Sequence, residues 1–157
     1  MKTLILFATK YGATEEIAER IASRIGGATV CNLKSSSIQS VSQFDCVIIG
    51  SPVYAGSIRK EAKAFLYQNA GVLRDKRLGL FLSGMAAHME KKAFEVNFSP
   101  DILQAAAVKS HLGGVFDSTK ADMLERFIMK VVARKSGYIN TISDEKIEQF
   151  AEIMKMG

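Results

Sequence analysis

Short apolar runs alternate along the chain with stretches of helical periodicity, and this alternation constrains the fold more than any other feature. Several of the apolar runs carry no polar alternation, which is typical of strands in a parallel sheet that is covered on both faces. The sequence therefore predicts an α/β three-layer sandwich, a five-stranded parallel sheet of order 2-1-3-4-5 with helices on both faces. The predicted strands are 3–8, 28–33, 45–51, 78–83 and 108–116.

Helical periodicity and end signals place the helices between and after these strands. The first helix follows strand 1 and ends at Gly26-Gly27, since glycine commonly ends a helix. Ser99 and Ser143 are predicted N-caps, and Pro100 suits a first helical turn. The other predicted helices cover 58–70, 88–107 with a break near Pro100, 120–135 and 144–155.

The 157 residues contain no repeat or linker-like stretch, so a single domain spanning 1–157 is predicted. The apolar runs are far shorter than the roughly 20 residues needed to cross a bilayer, and no secretory signal is expected. Cys31 and Cys46 are interpreted as reduced core residues, and the spacing of the cysteines and histidines suggests no metal site. A cytoplasmic location is therefore expected.

The chain carries a formal charge of +5, part of which lies between residues 120 and 135. A basic balance favours an anionic partner, such as a phosphate ligand, a membrane surface or a nucleic acid, but does not choose among them. The alternative on charge alone is a solvated charged face.

The loop after strand 1, Thr9-Lys10-Tyr11-Gly12-Ala13-Thr14, joins a buried strand to a helix. Such a loop presents unpaired backbone N–H groups at the positive end of the helix dipole, and Gly12 allows a phosphate to approach the backbone. The motifs G-x-x-x-x-G-K-[ST] and G-x-G-x-x-G are absent. The loop is therefore predicted to hold a phosphate, although a turn that only caps the helix remains the alternative.

In a sheet of order 2-1-3-4-5, a ligand lies where the winding direction reverses, beyond the carboxyl ends of strands 1 and 3. The loop after strand 3 contains Tyr54, whose flat ring could stack on a planar ligand or be an ordinary surface tyrosine. The loop after strand 4 has no aromatic residue; Met85 or His88 could cover a ligand instead, or each could face solvent or belong to the core. The serine, histidine and aspartate residues of the chain form no recognisable catalytic set, so no catalytic side chain is predicted.

The first loop resembles the flavodoxin family, in which T-x-T-G-x-T holds the phosphate of FMN; Tyr11 stands where flavodoxins usually have a hydroxyl amino acid. The resemblance implies FMN as the cofactor and a flavin that carries the chemistry. The cofactor-binding residues it implies are Thr9, Lys10, Tyr11, Gly12, Ala13, Thr14, Ser51, Pro52, Val53, Tyr54, Ala55, Gly56, Ser83, Gly84 and Met85.

The segment 117–142 is an addition to the short flavodoxin pattern, and its helix carries a basic stripe formed by Arg126, Lys130 and Arg134. Leu124, Phe127, Ile128, Val131 and Val132 form its apolar face. Such a helix can lie on an anionic membrane or a partner, or it can simply pack on the sheet.

Three segments, "MKTLILFATKYGATEEIAERIA", "VYAGSIRKEAKAF" and "ERFIMKVVARKSG", resemble the menaquinone-dependent protoporphyrinogen oxidase branch of flavodoxin-like proteins. The resemblance implies an FMN oxidoreductase that oxidises protoporphyrinogen, or a related substrate, and reduces a quinone at the inner face of a membrane. The late segment is poorer in aromatic residues than in that branch. The alternatives are a flavodoxin-type electron carrier and a flavin-free interaction module, and no nucleic-acid partner is expected.

Overall fold

The computed structural model describes residues 1–35, 37, 38, 40–131 and 137–157. Five parallel strands form the sheet: β1 (Thr3–Phe7), β2 (Thr29–Asn32), β3 (Cys46–Tyr54), β5 (Arg77–Ser83) and β6 (Ala106–His111). Their order is β2-β1-β3-β5-β6, which is the predicted order 2-1-3-4-5, and the α/β fold is confirmed. A two-residue strand, β4 (Ser57–Ile58), pairs antiparallel with β3.

The helices in the described residues are α1 (Ala13–Ile25), α2 (Lys60–Leu73), α3 (Glu90–Asn97), α4 (Pro100–Ala105), α5 (Met123–Val131) and α6 (Asp144–Lys155). Short 3-10 turns cover Val41–Gln43 and Ala87–Met89. The predicted caps are confirmed, because the hydroxyl oxygens of Ser99 and Ser143 accept from the N–H groups of Ile102 and Lys146. The last part of the helix predicted at 120–135, including Arg134, lies outside the described residues.

Successive side chains of the strands point to opposite faces of the sheet and belong to two apolar layers, one on each face. Leu4, Leu6, Val47 and Ile49 belong to the layer that includes Ala62, Phe65 and Leu66 of α2. Ile5 and Ile48 belong to the other layer, with residues of α1 and α6. Burial of both faces explains why the strands are apolar throughout, and the carboxyl edge of the sheet is left for the loops. The residues of α6 in this second layer are Ile147, Phe150 and Met154.

The fifth strand differs from the prediction of 108–116. β6 ends at His111, the chain turns through Leu112, Gly113 and Gly114, and β7 (Val115–Asp117) pairs antiparallel with β8 (Tyr138–Asn140). Gly113 has φ +91°, a conformation that ends an extended strand and that other residues rarely adopt. The continuous apolar pattern across 108–116 therefore conceals a change of direction, and β7 and β8 frame one side of the cleft described below.

Candidate functional site

A cleft of about 810 Å³ lies at the carboxyl edge of the sheet, beyond the ends of β1, β3, β5 and β6. All of the residues predicted to bind a cofactor line it except Ser51. The hydroxyl of Ser51 donates to the carbonyl of Pro52 and accepts from the N–H of Arg59, so this side chain supports the neighbouring loop. The sheet thus brings together three loops that are far apart in the sequence.

The loop after β1 has the geometry of an anion site. Gly12 lies in the left-handed region, at φ +100° and ψ −11°, directly before the first residue of α1. No side chain caps the first turn of α1 within the described residues, and a Cβ on Gly12 would meet only open space. Unpaired N–H donors at the positive end of a helix, with room in front of them, fit a phosphate.

Two hydroxyl groups of this loop already have partners. Thr9 Oγ1 accepts from the N–H of Gly12 at 2.9 Å, which holds the turn closed. Thr14 Oγ1 and Ser83 Oγ lie 2.8 Å apart, and either group can donate. If Ser83 donates, the Thr14 proton remains free for a phosphate oxygen, because a hydroxyl is both donor and acceptor. This buried contact joins the first loop to the end of β5.

The loop predicted after β3 is a tight hairpin. Ala55 and Gly56 both have positive φ, at +50° and +80°, as a two-residue type I′ turn requires. Asn97 of α3 fixes the hairpin, since its Oδ1 accepts from the N–H of Ile58 and its Nδ2 donates to the carbonyl of Gly56. Tyr54 is therefore presented at the cleft by a fixed turn. Ala55-Gly56 lacks the usual Asn-Gly signature, so this hairpin could not be predicted from the sequence.

Lys10 connects three parts of the cleft. Its Nζ lies 4.0 Å from the centroid of the Tyr54 ring and donates to Asp122 and Glu125, at 2.9 Å in each case. Partial burial lowers the pKa of Lys10, but the bonds to the two carboxylates outweigh it and the pKa is raised. The ammonium group thus ties the segment around α5 to the loop after β1, residues 9–14, which we call the phosphate loop. The sequence analysis missed this contact because the partners are more than a hundred residues apart.

The outer part of the cleft has an apolar wall that the sequence analysis did not identify, apart from Met85. Met89, Val96, Phe116, Met129 and Tyr138 contribute to it, together with the basic residues Arg59, Lys92 and Lys120. His88 is exposed and is not among the residues that line the cleft. Of the two predicted alternatives to a second aromatic residue, only Met85 reaches the cleft.

His111, at the end of β6, also lines the cleft although only 2% of its surface is exposed. Burial lowers its pKa from 6.5 to about 4, aided by the positive charge of Lys146 and by His88 and opposed by the carboxylate of Glu90. The imidazole is therefore neutral at pH 7. The sequence around His111 contains no pattern that predicts this position.

The buried imidazole makes stability sensitive to acid. Between pH 6.5 and pH 4 the unfolded chain binds a proton at His111 that the folded protein does not bind, so stability falls as the pH falls. We expect His111 to account for a loss of about 2 kcal/mol between pH 7 and pH 4.5. Urea unfolding at both pH values would show a smaller loss in His111→Gln, and an equal loss in both proteins would contradict the neutral imidazole.

The α5 helix faces the cleft with one side and solvent with the other. Glu125 and Met129 line the cleft, whereas Met123, Leu124 and Phe127 are 82%, 53% and 63% exposed. Arg126 and Lys130 are exposed as well. Leu124 and Phe127 are therefore not buried against the sheet. We call Met123, Leu124 and Phe127 the apolar face of α5; the side chains of Ile128 and Val131, and Val132, lie outside the described residues.

None of the helices in the described ranges has the length and apolar character needed to span a membrane. Within the same residues, no cluster of histidine, cysteine or acidic side chains has the arrangement of a metal site. Cys31 and Cys46 are both free.

A doubly wound parallel sheet, an uncapped helix N-terminus after its first strand and an aromatic hairpin on the same cleft define a mononucleotide-binding α/β protein. The model of the Flavodoxin domain family matches residues 4–142. The chain therefore belongs to the flavodoxin family. This membership confirms the prediction of FMN as its cofactor.

Solved structures support the same fold. A flavodoxin from Streptococcus pneumoniae TIGR4 is 20% identical, with 99% of each chain covered and a TM-score of 0.59. A flavoprotein from Lactobacillus acidophilus NCFM, solved in complex with FMN, is 20% identical over 71% of this chain and 90% of that chain, with a TM-score of 0.51. No curated protein matched.

The rubredoxin oxygen:oxidoreductase from Desulfovibrio gigas is 13% identical, with a TM-score of 0.60. The alignment covers 99% of this chain but only 35% of that protein. The same fold thus occurs both as a chain of this size and as a part of a larger redox protein.

Proposed function

We propose that this protein is an FMN-dependent oxidoreductase that takes electrons from a reduced organic substrate and delivers them to a quinone. The observation that carries the proposal is the continuity of one cleft, about 810 Å³ in volume, from the phosphate loop through Tyr54 to an apolar wall beside α5. A cleft used only to hold a flavin edge needs no such extension.

The residues of the inner cleft fit FMN. The first-turn N–H groups of α1, with the hydroxyls of Thr9 and Thr14, would hold the phosphate. The Tyr54 ring offers a flat surface for the flavin ring, and the hairpin held by Asn97 fixes its position. FMN supplies reversible electron uptake when bound, whereas the chain binds and orients it and limits the access of water.

The outer cleft suits a second reactant that is apolar and anionic. Met85, Met89 and Met129 provide an adaptable apolar wall, and Arg59, Lys92 and Lys120 place positive charges around it. Protoporphyrinogen, or a related reduced substrate with carboxylate groups, matches this chemistry. Each two-electron oxidation of this substrate releases two electrons and two protons, and the reduction of one quinone to the quinol takes up the same number of each.

An electron carrier without its own organic substrate is the second candidate. Membership of the flavodoxin family favours it. The formal charge of +5 does not suit docking on basic redox partners, because like charges oppose association. A flavin-free interaction module is the third candidate, and the open phosphate loop argues against it.

FMN titration of the purified protein tests the flavin. We expect the flavin fluorescence to be quenched with a defined stoichiometry, and no quenching would leave only the flavin-free module.

A second experiment separates the oxidase from the carrier. The FMN-loaded protein would be mixed with reduced porphyrinogen and a soluble quinone analogue. Formation of porphyrin above the free-FMN background is expected for the oxidase, whereas its absence, with rapid exchange of electrons with a redox protein, would identify a carrier.

The outward side of α5 suits a peripheral contact with an anionic membrane. Its apolar face lies beside the exposed Arg126 and Lys130, a combination typical of helices that lie in a membrane interface. Such a contact would bring a lipophilic quinone close to the cleft, since Glu125 and Met129 of the same helix line it. The protein is then cytoplasmic and reversibly bound to the inner face of the membrane.

Replacing Arg126 and Lys130 with alanine is expected to weaken binding to phosphatidylglycerol vesicles about 30-fold, since each basic residue near an anionic surface contributes about 1 kcal/mol. Vesicle co-sedimentation of the FMN-loaded protein would measure this. Phe127→Ser should weaken binding further, whereas Tyr67→Ser and Lys60→Ala, which alter exposed residues of α2, should not. Equal binding by all variants would contradict a membrane contact through α5.

A further inference from the structure

His111 occupies a position that its sequence context does not explain. It lies at the end of β6, opposite Leu82 of β5, and is 2% exposed, yet it forms part of the cleft wall. The other residues of β6 are partly or fully exposed. A buried polar ring at the edge of a ligand cleft needs a partner for each of its nitrogens.

Hydrogen bonds fix the tautomer and the place of this ring. Nδ1 accepts from the N–H of Gly113 at 3.2 Å, so the proton of the neutral imidazole is on Nε2. The backbone N–H of His111 donates to Glu90 Oε1 at 2.6 Å, which attaches the end of β6 to α3. The ring therefore presents one donor, Nε2–H, on the side away from Gly113.

The free donor lies under the loop that follows β5. A Cβ built on Gly84 would lie 3.9 Å from His111 Nε2, and Gly84 itself lines the cleft. Within the part of the chain that the structure describes, Nε2 has no hydrogen-bond partner. Among the described residues, the fully buried side-chain atoms without a partner are Arg59 Nε and Glu61 Oε2, so Nε2 of His111 is accessible from the cleft. A ligand in the cleft can therefore supply an acceptor for this donor.

The position of the donor relative to the phosphate loop selects the part of the ligand that it meets. Ser83 contacts Thr14 of the phosphate loop, and the next residue, Gly84, lies against His111. In the strand order of the sheet, β3 and β5 lie between β1, which leads into the phosphate loop, and β6, which ends at His111. If the phosphate of FMN lies at Gly12, the part of FMN that lies nearest to His111 is the flavin ring.

We propose that His111 donates a hydrogen bond from Nε2–H to an acceptor atom on the polar edge of the bound flavin ring. This inference rests on the proposed binding of FMN. A neutral donor strengthens its bond as negative charge builds up on the acceptor, so His111 favours the reduced flavin over the oxidised flavin. Its role is to bind and tune the cofactor.

Nitrogen NMR of protein labelled at histidine tests the contact directly. FMN binding is expected to shift the Nε2 resonance of His111 strongly and that of Nδ1 little, while the exposed His88 serves as an internal control. Failure of the wild-type protein to bind FMN would overturn both this inference and the proposed function. Binding of FMN with an unchanged Nε2 resonance would overturn the inference alone.

The reduction potential provides the second measurement. His111→Phe removes the donor, and we expect reduced FMN to lose about tenfold more affinity than oxidised FMN, which lowers the two-electron potential by about 30 mV. His111→Gln keeps an amide donor and should recover part of the shift. Because both variants lose Nδ1, equal potentials in His111→Phe and His111→Gln would show that His111 acts only through Gly113 and would overturn the proposal.

Discussion

Replacing Gly12 with alanine is expected to weaken FMN binding about 100-fold, which corresponds to about 2.7 kcal/mol. Gly12 has φ +100°, a conformation that alanine rarely adopts, and its missing side chain leaves open space in front of the first turn of α1. The new methyl group would occupy that space, and the strained turn would move the N–H donors. Fluorescence titration of the apoprotein with FMN measures the change.

A matched glycine separates this effect from the cost of strain. Gly27 has φ +72°, also has open space around it and lies far along the chain from the cleft, at the end of α1. Gly27→Ala should lose about 1–2 kcal/mol of stability, as Gly12→Ala does, but should bind FMN normally. Riboflavin, which lacks the phosphate, should bind wild type and Gly12→Ala with similar affinity. An equal loss for riboflavin and FMN would contradict the assignment of this loop to the phosphate.

Local patterns in the sequence were sufficient to predict which residues are buried in an element that has one buried face. Ile147, Phe150, Ala151 and Met154 are spaced so that one side of α6 is apolar, and all four are buried as predicted. Strand order followed from the alternation of strands and helices, because right-handed crossovers leave few arrangements. The position of the cleft at the winding reversal followed from that order.

The sequence was less informative where a contact depends on residues far apart. The ion pairs of Lys10 with Asp122 and Glu125 join segments that are far apart in the sequence, and no local pattern predicts that they are in contact. The prediction of a single strand over 108–116 was wrong because an apolar pattern continues through Gly113-Gly114, where the backbone changes direction. The outer wall of the cleft was missed for the same reason, since Phe116 and Tyr138 come together only through the β7–β8 pair.

These long-range contacts have a functional consequence. Lys10 lies in the phosphate loop, contacts the ring of Tyr54 and holds the segment that leads into α5. A ligand that enters this part of the cleft therefore meets a residue that also positions the outward face of α5. Lys10 thus links the loop after β1 to α5, and we expect FMN binding to affect the orientation of this helix.

Replacing Gly113 with alanine is expected to destabilise the protein by about 4 kcal/mol, the largest stability effect that we predict. A Cβ at Gly113 would overlap the carbonyl group of Thr141 and would lie 2.8 Å from the Cα of Ile142. These are backbone atoms that cannot rotate away. Hydrogen bonds from Thr141 to Gly114 and from Ser143 to Leu112 hold the two segments together, so a local shift would break them. Urea unfolding followed by circular dichroism measures the loss.

Gly137 provides the control for backbone strain, because its φ of +89° nearly equals the +91° of Gly113 while a Cβ there would meet no atom within 4 Å. Gly137→Ala should therefore cost only about 1–2 kcal/mol, the penalty for an alanine in the left-handed region. The difference between the two variants isolates the clash with Thr141. If both lost the same amount, the segment 141–143 would be free to move away from Gly113. The close packing of the start of α6 against the end of β6 would then not contribute to stability.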